Sequence, residues 1–452
     1  MTNTTNLIAA AALCMGLTVG AACAATLKSP EVTHTAKGPT GYAVTFRYAN
    51  PAAKTVQIKG EWLFARPSGL SQLAATPDHP TVEGQGLMPT EWKSGDFPLQ
   101  KPNTTGPNFP VSDMVKGKDG VWSFTTPLPS GTFSYTFFVD CPNPIPNPAP
   151  ASCKRIADPN NMPWNETAAG VRQGGAAPNS QVYVPSDAAF GSADLSWQAP
   201  AKAKGKIVFA SYPSPGHVAP KDTNNLVIYT PPNYDSKRAK PYPTLYLSHG
   251  GGENEMGWTT QGVAGNILDN LINSGQIEPI VVVMPNGSGY PNSTFNEAYD
   301  RDLIDRMIPF VETGYNVGKT AKDRAFSGLS AGGMLTNSFI INHPDVFQYY
   351  GMMSAGLPPA NATLTDAQVA ALKGKAIWIG GGWQDAIHAV GFSPNGTPSH
   401  LGPAREVSTF AKAGIPVTTN FVYGGHEWSV WRVLLKDFLT RTAFLPVPYA
   451  NW

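Results

Sequence analysis

One run of ten residues limits the architecture more than any other part of this chain. Ala325-Phe326-Ser327-Gly328-Leu329-Ser330-Ala331-Gly332-Gly333-Met334 sets a G-x-S-x-G pattern between an apolar strand-like run and a helical pattern. A serine in that position needs a sharp strand-to-helix turn, and glycines two residues to either side let the backbone make it. In a glycine-rich chain the bare pattern arises readily by chance, so its surroundings carry the weight. The strand before it supplies that context, as does the apolar face of Met334, Leu335 and Phe339 after it. A turn of this kind predicts three partners: a glycine loop upstream, then an acid and a histidine downstream.

The second half of the chain repeats the same alternation. From about residue 205, strand-like runs at 226–229, 244–247, 280–284, 376–379 and 419–423 are interleaved with helical patterns near 262–273, 298–315, 331–342, 401–413 and 427–442. This predicts a mostly parallel sheet with helices on both faces. Reactive groups in such sheets gather in the loops at the carboxyl ends of the strands.

The first half has a different period. Tyr42–Tyr48, Thr55–Ile58 and Thr132–Val139 alternate apolar with polar or small residues, and Asp119-Gly120 marks a hairpin before Val121–Phe124. These features predict a small all-β sandwich over residues 26–153, with an irregular insert at roughly 62–115. Residues 154–204, rich in Gly, Ala, Pro and Asn, read as a linker or strap, and 205–452 as the catalytic domain.

Residues 1–25 read as a signal peptide, because Leu7 to Ala25 is apolar and ends in small residues with an A-x-A option at Ala22-Cys23-Ala24. No Lys or Arg precedes the run, so an uncleaved anchor is the competing reading and a lipid on Cys23 a third. Cleavage would make the protein secreted or periplasmic, with no stable membrane association. It would remove Cys14 and Cys23 and leave Cys141 and Cys153, an even pair that predicts a disulfide in an exported chain. A formal net charge of +1 points away from nucleic acid as a partner. The eight histidines are scattered, without H-E-x-x-H, C-x-x-C or a phosphate-binding glycine loop, so no metal or cofactor is expected.

The expected partners of Ser330 can be named. His426, in Gly424-Gly425-His426-Glu427-Trp428, follows a strand-like run and opens a helix, which suits a general base. Asp385 follows the run 376–379 and a Gly-Gly-Gly-Trp turn, and would orient the imidazole. Asp366 competes for the acid role and His388 for the base. His249-Gly250-Gly251-Gly252 follows a strand and would present main-chain N–H groups to an oxyanion, Gly251 being the expected donor together with Ala331. Trp258, Trp383 and Trp428 lie near these motifs and are candidates to stack on an aryl acyl group, with ordinary packing as the alternative for each.

Together, His249-Gly-Gly-Gly-Glu-Asn-Glu, Gly328-Leu-Ser-Ala-Gly-Gly and Gly424-Gly-His-Glu-Trp-Ser-Val-Trp-Arg resemble the esterase D-type α/β-hydrolases of carbohydrate esterase family 1, over about residues 205–445. That resemblance implies an α/β-hydrolase fold and a triad at Ser330, Asp385 and His426. It also implies oxyanion donors at Gly251 and Ala331, and feruloylated or acetylated polysaccharide as substrate. Asp119-Gly-Val-Trp-Ser and Phe133-Ser-Tyr-Thr-Phe-Phe-Val-Asp are similar to early-set, immunoglobulin-like modules that precede such esterases. Three other functions stay open: an enterochelin esterase-like siderophore hydrolase, an acyltransferase to a sugar acceptor, and a binding protein with an inactive hydrolase domain. Acyl group, polysaccharide and oligomeric state are not encoded in any of these motifs.

Overall fold

Period-two runs must bury their apolar faces against another layer, and in the first region that layer is a second sheet. The computed structural model describes residues 27–76, 82, 84–101, 109–145, 150–161, 179–291, 295–357, 363–388 and 402–447. The apolar run 7–25, with Cys14 and Cys23, lies outside the described residues. The first region holds β1 (Glu31–His34), β2 (Tyr42–Ala49), β3 (Val56–Gly60), β4 (Phe64–Ala65), β5 (Phe97–Pro98), β6 (Val111–Asp113), β7 (Val115–Lys116), β8 (Val121–Pro127), β9 (Gly131–Val139), β10 (Lys154–Ile156) and β11 (Ser180–Val184). One sheet runs β1-β2-β8-β7, the other β10-β9-β3-β6 with β11 also on β9, and β4 pairs with β5 separately. Phe46, Ile58, Trp62, Tyr135 and Phe137 fill a common core. Cys141 and Cys153 form a disulfide across the connection from β9 to β10.

The stretch expected as a linker departs from that reading. Lys154–Ile156 and Ser180–Val184 both pair antiparallel with β9. Strand β9 is nine residues long, gives one edge to β3, and has the other free for two short strands. Such short strands in a Gly- and Pro-rich stretch leave no periodicity to read.

The second region is one eight-stranded sheet in the order β12-β13-β15-β14-β16-β17-β18-β19. Its strands are β12 (Lys206–Val218), β13 (Lys221–Thr230), β14 (Thr244–Ser248), β15 (Val281–Pro285), β16 (Arg324–Leu329), β17 (Tyr349–Met353), β18 (Ala376–Gly382) and β19 (Thr418–Val422). The β12–β13 and β13–β15 pairs are antiparallel, and the rest of the sheet is parallel. Helices α1 (Ala264–Asn273), α2 (Phe295–Asp302), α3 (Ile308–Gly314), α4 (Ala331–Asn342), α5 (Asp366–Leu372), α6 (Pro403–Lys412) and α7 (Trp428–Arg441) cover it.

Alternation along each strand explains why both faces are covered. Val227, Leu245, Leu247 and Val282 share a core with Ile267 of α1 and Leu434 of α7. Their sequence neighbours Leu226, Tyr246, Val281 and Val283 point the other way, to Phe339 of α4 and Phe410 of α6. The result is a mixed-sheet α/β-hydrolase-like domain preceded by smaller all-β sheets. Among the described residues, no helix is long and apolar enough to cross a membrane.

Candidate active site

The turn expected at Ser330 is present. Strand β16 ends at Leu329, Ser330 makes the turn, and α4 starts at Ala331. Ser330 adopts φ 51° and ψ −116°, a costly conformation for a residue with a Cβ. Its N–H donates to the Met353 carbonyl at 2.9 Å, which pins the turn to the end of β17. The flanking glycines are required by close approach. A Cβ on Gly328 would lie 2.5 Å from the Gly332 carbonyl oxygen, and one on Gly332 would lie 2.6 Å from that of His249.

Asp385 and His426 arrive from the ends of the last two strands. Asp385 is fully buried and its Oδ2 lies 2.8 Å from His426 Nδ1. Its Oδ1 accepts the main-chain N–H groups of Ile387 at 2.9 Å and His388 at 2.8 Å. Burial pushes this carboxyl up, but the bonds from His426 and the His388 N–H outweigh it and hold its pKa below the usual value. An ionised Asp385 makes Nδ1 the donor and leaves Nε2 free to take a proton. The rival acid Asp366 opens α5, which precedes β18 and so lies at the other end of that strand. The rival base His388 meets Asp385 through its main chain, with its ring 5.6 Å from that of His426.

Ser330 is connected to this pair through the end of β17. Ser354 follows the residue that anchors Ser330, and its Oγ accepts Trp431 Nε1 at 3.1 Å. The His426 ring stands edge-on to Trp431 at 4.8 Å.

The glycine loop after β14 is braced from within. His249 is buried, its Nε2 accepts the Gly287 N–H at 2.9 Å, and its Nδ1 therefore donates to the Gly250 carbonyl at 2.7 Å. Burial pushes its pKa down to about 4, so the ring is neutral and this pattern is fixed. Glu253 accepts the Gly250 N–H at 3.3 Å, Trp428 Nε1 at 3.1 Å and Gln261 Nε2 at 3.2 Å. Gly250 is thus engaged. Gly251 is exposed, a Cβ on it would lie 4.0 Å from Ala331 Cβ, and among the described residues its N–H meets no acceptor. Ala331, as the first residue of α4, also has an N–H without an intrahelical partner. Two such donors facing one space can bind an oxyanion.

The tryptophans divide. Trp258 takes the packing alternative: it is completely buried, donates to the Ser248 carbonyl at 2.9 Å and packs edge-on to Trp428. An indole on a loop beside a strand end covers the sheet's core before it reaches solvent. Trp428 is buried too, but lines a cavity of about 350 Å³ between the first region and α7, with Gln100, His426, Glu427 and Arg432. Trp383 is half-buried and leans on Phe421 at 5.1 Å.

Four residues here were not singled out from sequence: Gln100, Glu253, Glu427 and Trp431. Glu253 and Glu427 stood beside the H-G-G-G and G-G-H motifs, so their placement was a usable signal. Gln100 had none, since it lies in the irregular insert of the other region.

Comparison with known proteins places these motifs in company. Residues 218–442 match the Esterase family model, described as "Putative esterase". The chain is 34% identical over 204 residues to "Endo-1,4-beta-xylanase/feruloyl esterase" of Xylanibacter ruminicola; the match covers 41% of this chain and 27% of that protein. Among solved structures it is similar to the feruloyl esterase module of Clostridium thermocellum complexed with sinapinate. That match has 24% identity, a TM-score of 0.45, and covers 56% of this chain and 93% of that one. It is also similar to the enterobactin esterase FES of Shigella flexneri, with 17% identity, a TM-score of 0.49, and coverage of 91% of this chain and 94% of that one. Residues 218–442 are an esterase-type hydrolase domain with a feruloyl esterase among its sequence relatives.

Proposed function

We propose that this protein, built on an esterase-type hydrolase domain, is an exported serine carboxylesterase that removes feruloyl-type or acetyl groups from plant cell-wall polysaccharides. The 2.8 Å contact between buried Asp385 and His426, beside a strained serine turn, carries the proposal. His426 Nε2 takes the Ser330 proton as Oγ bonds to the ester carbonyl carbon. The oxygen that gains charge is held by the N–H groups of Gly251 and Ala331. The C–O bond to the alcohol then breaks, and His426 returns the proton to the leaving oxygen. Water repeats the sequence on the acyl-enzyme and releases the acid. Asp385 holds the imidazole in the tautomer this requires. Trp383 and Trp428 remain the aromatic surfaces offered to an aryl acyl group.

The feruloyl preference draws on the name of the 34%-identical relative, "Endo-1,4-beta-xylanase/feruloyl esterase". Residues 1–25 are read as a cleaved signal and the β-rich region as an immunoglobulin-like module. One observation favours a second substrate, a catecholate trilactone siderophore. The β-rich region reaches into the His426 loop, and both regions line the cavity that His426 shares with Gln100 and Trp428. A polysaccharide-binding module on a tether would not do this.

The purified protein is tested on methyl ferulate, aryl acetates, long-chain esters and a ferric catecholate trilactone. At least one should turn over, and Ser330→Ala should abolish it. Turnover that survives in Ser330→Ala overturns the serine mechanism, and turnover of the trilactone alone overturns the polysaccharide reading.

A further inference from the structure

Gln100 belongs to the insert of the first region, yet it holds the loop that carries His426. Its Nε2 donates to the His426 carbonyl at 3.3 Å. Its main-chain N–H donates to the Glu427 carboxylate, which also takes the Gly425 N–H at 3.0 Å. Each residue from 425 to 427 is thereby fixed. The neighbouring positions are held as well, since Phe97 stacks on Tyr423 at 5.0 Å and Gln384 Oε1 accepts the Gly424 N–H at 2.8 Å. Gln384 is tied to the same insert through the Leu73 carbonyl, and the Ala75 N–H donates to the Trp383 carbonyl at 2.7 Å. The insert therefore grips both the acid loop and the base loop.

Glu427 adds a second observation. It is the N-cap residue of α7, where a side chain ordinarily accepts the first free N–H groups of its own helix. Its carboxylate makes no such cap bond. It turns back to Gly425 and across to Gln100 instead, while almost wholly buried. A buried carboxyl is costly unless hydrogen bonds offset its lost hydration, and at Glu427 those bonds come from Gly425 and Gln100.

We propose that Gln100 and Glu427 form a bracket, built jointly by the first region and the start of α7, that fixes the main chain of His426 and so aims its imidazole at Ser330. Gln100 is a positioning residue, and the insert is a working part of the hydrolase. This rests on His426 being the base. Misplacement of a reacting group by about 1 Å can cost on the order of a hundredfold in rate, so a loosened bracket should act on turnover.

Wild type and Ser330→Ala are compared first on the best ester. If they do not differ, the hydrolase reading fails and the bracket with it. Once they differ, Gln100→Met, which keeps length and removes the donor, is assayed beside Glu427→Gln and the double variant. The expected result is a fall in kcat of about tenfold in each single variant with KM within about twofold, and a double variant about as slow as the slower single. A kcat within about twofold of wild type, a loss confined to KM, or losses that multiply in the double variant would each overturn the proposal. Should Gln100→Met unfold at the assay temperature, Gln100→Glu takes its place and is read by the same outcomes.

Discussion

Burial pushes the Glu253 carboxyl up to about 7, against the Gly250, Trp428 and Gln261 donors that favour its charged form. Its folded pKa lies above the unfolded value of 4.5, so the folded protein binds this proton more tightly than the unfolded chain. The stabilisation is complete below about pH 4.5 and is lost as pH rises through about 7. Glu253→Gln copies the protonated form, so it should flatten the fall in melting temperature between pH 4.5 and 7.5. An unchanged slope in thermal scans across that range would rule this out. His249 works in the opposite sense, since burial lowers its pKa from 6.5 to about 4. Its contribution is present above about pH 6.5 and lost as pH falls through about 4. Residues of this kind differ in how far sequence exposes them. Ser330 and His426 stand in local patterns and in a recognisable order, while Gln100 acts on His426 across the whole molecule and leaves no trace near either residue.

Among elements, the join between β14, β16 and α4 leaves little slack. Gly332 in the first turn of α4 lies against main-chain oxygens of Ser248 and His249, at 2.7 Å and 2.6 Å from where a Cβ would sit. Backbone on both sides cannot step aside as a flexible side chain could. Gly332→Ala should destabilise by roughly 1–3 kcal/mol, read as a lower urea midpoint at unchanged slope. It should also push the glycine loop away from Ser330 and lower turnover beyond the loss of folded protein. Most strands and helices of the second region followed from hydrophobic period, but β12 and β17 did not. Strand β12 contains Pro213, Pro215 and Gly216, which its position at the sheet's edge tolerates. Strand β17, Tyr-Tyr-Gly-Met-Met, is buried on both faces, so it has no alternation to show. Sequence leaves Trp258 open between substrate and core for a related reason, since position beside a motif does not reveal which way an indole points.

At the scale of the molecule, the two regions are stitched by more than contact at a linker. Arg432 of α7 is buried, donates to the Thr132 carbonyl of β9 at 2.8 Å, and also reaches the Gln261 carbonyl at 2.8 Å. Losing that docking would part the guanidinium from the Thr132 carbonyl, at a cost of about 1–3 kcal/mol. Calorimetry should therefore show one cooperative transition with matching calorimetric and van't Hoff enthalpies; two resolved transitions would mean the regions unfold independently. The sheet order has its own consequence for synthesis. Ser330 follows β16 in the middle of the sheet, whereas His426 follows β19, the last strand laid on its edge. A nascent chain on the ribosome can shape the serine turn well before the imidazole meant to deprotonate it exists. On the proposed roles, a chain made only as far as α4 holds the nucleophile without its base, and reactivity arrives with β19 and α7.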